Sequence, residues 1–223
     1  MDLIAAIDVG LAAVADRAKA AEMQRYMKSD MPFHGVPKPA RAALIRTVFA
    51  EHPITDRAVW IDTVTALWRD AEFRERRYVA LDLVGYKPYQ RWQGVDLLPL
   101  YEELIVTGAW WDFVDEVASR RVGPLLQANP TLSSVMRAWA TDSDRWKRRT
   151  SVICQLRAKD ATDTALLTDT IESTVDDKDF FLRKGIGWAL REFAKTEPGW
   201  VRTFVDTHPE LSPLSRREAL KHF

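Results

Sequence analysis

Apolar residues recur three and four positions apart along almost the whole of this 223-residue chain, and hardly anywhere alternate with the period of two that a half-buried strand needs. That constraint leaves an all-helical fold. Helical stretches are expected near 2–28, 38–51, 55–70, 73–86, 95–106, 110–121, 131–141, 143–158, 163–176, 179–196, 198–208 and 212–222. Pro39, Pro53, Pro130, Pro198 and Pro213 sit near helix openings, and Thr55, Ser143, Asp163 and Ser212 are placed to cap free backbone amides. Short connections, and apolar stripes too wide for a two-helix coil, predict stacked antiparallel pairs: an α-solenoid whose repeat is degenerate in sequence. No linker interrupts the pattern, so a single domain over 1–223 is expected.

Charge and cysteine usage narrow the function classes. Thirty-two basic residues balance thirty-two acidic ones, so a polyanionic partner has to meet a locally basic face and not a basic protein. The lone cysteine, Cys154, cannot form an internal disulfide and fits a reducing compartment. Asp2, Asp8 and Asp16 interrupt the apolar start, so neither an export signal nor a membrane span is expected, and a cytoplasmic monomer is. His34, His52, His208 and His222 lack zinc-like spacing, and no metal or other cofactor is expected. There is no GxSxG elbow and no glycine-rich phosphate loop; the "GIG" at 185–187 lacks the third glycine and the preceding strand of a nucleotide-binding loop.

Three places break the helical pattern. In "WWDFVD" (110–115), Phe113 and Val114 continue with Val117 and Ala118 as a buried stripe that Trp110 joins. Trp111 and Asp115 lie on another ridge and face outward together. In "KGIGWALREF" (184–193), Trp188 projects opposite the stripe of Leu182, Ile186, Ala189, Leu190 and Phe193, and the flanking Gly185 and Gly187 suggest a close approach. In "WKRRTSVICQL" (146–156), Arg149 falls near the centre of an apolar stripe, where a charge needs a partner. That partner is either a carboxylate from a neighbouring helix or a phosphate in a groove. Arg145, Lys147, Arg148 and Arg157 add local positive charge. Each of these features also has an ordinary reading as packing or as a solvated face.

Taken in order with "RYMKSDMPFHGVPKPAR" (25–41), these segments resemble the AlkD-type DNA alkylation repair glycosylases over nearly the whole chain. The resemblance implies HEAT-like repeats with a concave basic face for duplex DNA. It also implies a catalytic site of Trp111, Asp115 and Trp188, with Arg149 on the DNA backbone beside it. Lys147, Arg148 and Lys184 are then expected to contribute to DNA binding. Two positions depart from the family pattern: Gly185 stands where alanine is expected, and Ala42 where a second arginine often follows Arg41.

The implied chemistry suits these side chains. A purine alkylated at N3 or N7 is cationic and leaves without a general acid, so one carboxylate can serve the developing sugar cation while two indole faces attract the base. Sugar hydrolases with neutral leaving groups need a carboxyl pair. A non-catalytic DNA-binding repeat protein is the alternative, and it could dispense with Asp115. A protein-binding solenoid is a third reading.

Overall fold

The computed structural model describes residues 2–223, and every regular element among them is a helix. The repeat-like packing of chain-adjacent helices is that of an α-solenoid. The helices gather into two compact units, Met1–Trp92 and Gln93–Phe223.

The first unit holds α1 (Leu3–Ala13), α2 (Arg17–Met27), α3 (Lys38–Glu51), α4 (Arg57–Arg69) and α5 (Arg74–Val84), then a 3₁₀ turn over Lys87–Trp92. The single helix expected over 2–28 is two. Asp16 adopts an extended backbone, and its side chain accepts from the amides of Ala18 and Lys19, which opens α2. The stretch between α2 and α3 is held by a charge in the core. Glu75 of α5 is fully buried, and its carboxylate accepts the amides of His34, Gly35 and Val36 at 2.9, 2.9 and 3.0 Å. Gly35 has φ +82°, and a Cβ there would lie 2.0 Å from the Asp16 carbonyl oxygen, so only glycine fits. Arg41, also buried, donates to Asp82 at 2.8 Å and lies over the Tyr78 ring. In this unit the segment 25–41 therefore runs from the end of α2 through an anchored connection over 28–37 into the start of α3.

The second unit holds α6 (Leu98–Gly108), α7 (Trp111–Val117), a π turn (Ala118–Val122), α8 (Gly123–Ala128), α9 (Ser133–Ala140), α10 (Arg145–Ile153), α11 (Thr164–Glu172), α12 (Phe180–Phe193), α13 (Pro198–Thr207) and α14 (Pro213–Ala219). Its core brings Val152 and Ile153 of α10 together with Ile171, Ile186, Leu190, Val201 and Val205. Beyond the stretch expected over 110–121, Gly123–Pro124 starts a further helix, α8. Pro124 occupies an opening position, where no amide is required. A Cβ on Gly123 would lie 2.3 Å from the Cys154 carbonyl oxygen, so the glycine lets α8 start against the end of α10. Asp163 and Ser212 cap α11 and α14 as expected. At α4 and α10 the next residue, Asp56 and Asp144, takes the role expected of Thr55 and Ser143.

Candidate active site

Trp110 and Trp111 separate at the start of α7. Trp110 is the N-cap, with extended backbone (φ −152°), and its ring packs against Trp146 and Phe181. It is only partly buried and stands before the helix, where the sequence pattern places it on the helical stripe. Trp111 is the first helical residue, and Asp115 follows one turn later. Both line a cleft of about 390 Å³, and Trp188 from the middle of α12 lines the same cleft. Three side chains that the sequence marks as off-stripe thus share one concavity, together with Asp112, Glu116 and Arg157.

Asp115 is not the solvated carboxylate that its ridge position suggests. Its side chain is 15% exposed, and Arg149 of α10 grips it with both arms of the guanidinium: Nε to Oδ1 at 2.8 Å and one terminal nitrogen to Oδ2 at 2.8 Å. The other terminal nitrogen donates to the carbonyl of Phe181. Burial raises the Asp115 pKa and the neighbouring Asp112 adds to the effect; the Arg149 hydrogen bonds oppose both, and the carboxyl ends above its usual range. Of the two partners the sequence allows Arg149, the structure supplies the carboxylate. The Arg149 side chain is 5% exposed, and each of its nitrogens is engaged.

The other basic residues expected on DNA are also committed within the second unit. Arg148 donates through Nε and a terminal nitrogen to Asp177 at 3.0 Å each, and through the other to the carbonyls of Asp142 and Ser143. Lys147 sits between Glu102 at 2.7 Å and Asp142 at 2.5 Å. Burial opposes its charge, but the two carboxylates outweigh this and raise its pKa. Lys184 bonds Glu218 at 2.9 Å, and Arg191 takes the other oxygen of that carboxylate. These ion pairs tie α10 and α12 to their surroundings. Helix position alone could not reveal most of them, because Glu102, Asp177 and Glu218 are remote in sequence; only Asp142 is near its partner.

Both glycines beside Trp188 have a spatial cause. A Cβ on Gly187 would lie 2.5 Å from the Cβ of Glu218 and 2.8 Å from the Ser215 carbonyl oxygen, so α14 packs directly on the α12 backbone. A Cβ on Gly185 would lie 3.0 Å from a terminal nitrogen of Arg149. The guanidinium that holds Asp115 thus crosses α12 where a side chain is missing. No side-chain pattern in the sequence marks a main-chain acceptor such as the Phe181 carbonyl. Cys154 is no competing nucleophile: it is buried, and desolvation pushes its thiol up to about 12.

The family model described as DNA alkylation repair enzyme matches residues 7–223, and the chain belongs to that family. Among solved structures, the chain is similar to a predicted DNA alkylation repair enzyme from Enterococcus faecalis. The two share 30% identity and a TM-score of 0.84, over 94% of this chain and 96% of that one. No curated protein matches this chain. Among the described residues no helix is long and apolar enough to cross a membrane.

Proposed function

We propose that the protein is a monofunctional DNA glycosylase that hydrolyses the N-glycosidic bond of N3- or N7-alkylated purines in duplex DNA, initiating base excision repair. The observation that carries this reading is the convergence of Trp111, Asp115 and Trp188 on one cleft. The alkylated base is cationic. As its bond to C1′ of the deoxyribose breaks, the electron pair passes to the base and neutralises it, while positive charge develops on the sugar. Asp115 stabilises that charge and accepts a proton from the water that attacks C1′. Each of its oxygens accepts one hydrogen bond from Arg149 and keeps a second lone-pair direction for this work. Arg149 is therefore a positioning residue that fixes the carboxylate and keeps it anionic. The indole faces of Trp111 and Trp188 favour a cationic base over an unmodified one, by about 0.5 to 2 kcal/mol each.

The test is incubation with methylated duplex DNA followed by analysis of the released bases. N3-methyladenine or N7-methylguanine should appear with or without EDTA, leaving an abasic site and an uncut strand. Release abolished by EDTA, or a trapped imine with a lysine, would count against the mechanism.

A further inference from the structure

Beside the catalytic cleft lies a second and larger cavity of about 480 Å³, which shares Leu156, Arg157 and Glu192 with it. Its floor is apolar, with Val152, Leu167 and Phe193, and its rim carries three cations, Arg157, Lys159 and Lys195. Lys195 is spent on Glu192, at 2.7 and 2.8 Å. Arg157 and Lys159 differ from every cation discussed above: both are exposed, and no carboxylate among the described residues pairs with either. They leave from a braced segment. Gln155 brackets Asp163, donating to its carbonyl at 3.0 Å and accepting from its amide at 2.8 Å, while the Thr162 hydroxyl donates to the Lys159 carbonyl at 2.6 Å. Lys159 itself has φ +53°, a conformation that L residues adopt rarely and that persists where the surroundings over-determine it.

We infer that Arg157 and Lys159 form a two-cation clamp for one phosphodiester of the damaged strand, immediately beside the lesion. A planar guanidinium fork and a neighbouring ammonium suit phosphate oxygens. Arg157 lines both cavities, so the phosphate it holds borders the cleft that Asp115 lines. The clamp rests on the glycosylase reading and gives the damaged strand its register.

The experiment uses duplexes with N7-methylguanine at one position and a neutral methylphosphonate replacing one phosphate at a time on either side. The readout is the protein concentration giving half-maximal single-turnover base release, for the native chain and for the Arg157→Gln/Lys159→Gln variant. One flanking substitution should weaken the native chain about tenfold, as expected for loss of a charge-assisted contact, and leave the variant unaffected. The salt dependence of the variant should shallow by about one phosphate contact. Equal sensitivity of both proteins at every position would overturn the clamp and leave the glycosylase reading standing. A native chain that binds no duplex would remove both.

Discussion

Asp115 and Arg149 show what a helix wheel can and cannot convey. It identifies a carboxylate off the apolar stripe of one helix and an arginine on the stripe of another, but it does not say that the two face each other across 34 residues of sequence. Their pairing changes the expected cost of mutation. A solvated Asp115 would tolerate replacement by asparagine with little loss of stability, whereas here the change leaves a buried guanidinium half-satisfied. Asp115→Asn should cost about 3 kcal/mol, the scale for breaking a buried pair, and lower the melting temperature by about 6 to 12 °C. Thermal unfolding of the variant beside the native chain checks this. The raised pKa of Asp115 also has a sign. The folded chain holds the Asp115 proton more tightly than the unfolded chain does, so this group's contribution to stability falls as pH rises from the ordinary carboxylate value to the raised one. Chemistry needs the ionised form. Base release should therefore decline on the acid side with an apparent pKa above the usual carboxylate range, and Arg149→Gln should move that limb higher still in a pH–rate profile.

Among the elements, α12 combines catalytic placement with tight packing, and its two glycines separate these tasks. Gly187→Ala would force a Cβ against Ser215 and Glu218 backbone-proximal atoms of α14, and overpacking of this kind costs about 1 to 3 kcal/mol. Gly185→Ala meets only the far end of the Arg149 side chain and the edge of Ile153, and alanine gains about 1 kcal/mol of helix propensity. Gly187→Ala should melt lower than the native chain. Gly185→Ala should melt close to it and lose base-release rate, because Arg149 has to shift while holding Asp115. The sequence made the off-stripe direction of Trp188 legible and hinted at close approach from its glycines. It did not mark α7 continuing through a π turn into α8, because Gly123–Pro124 reads as a break unless the carbonyl of Cys154 is known to lie against the glycine.

For the whole molecule, periodicity sufficed to recover the all-helical class, since a 3.6-residue pattern is local and needs no knowledge of partners. The division at Trp92 and Gln93 leaves no trace in composition, because contacts between helices, and not a linker, define each unit. The pairing of the cations is the least legible feature: in a chain of balanced charge, only geometry shows which of them meet a carboxylate. Lys147→Ala and Arg148→Ala should accordingly lower thermal stability, as loss of partly buried ion pairs does, while leaving the slope of duplex affinity against salt nearly unchanged. A shallower slope with unaltered melting would return them to the DNA. The central claim, that the cleft of Trp111, Asp115 and Trp188 performs glycosidic hydrolysis, is tested most directly by single-turnover base release at saturating protein, below the melting transition of each variant. Asp115→Asn should be slower by about 10² to 10³, and Trp111→Ala and Trp188→Ala by smaller factors that are largest for cationic lesions. A folded Asp115→Asn protein releasing alkylated bases at the native rate would place the reacting centre elsewhere.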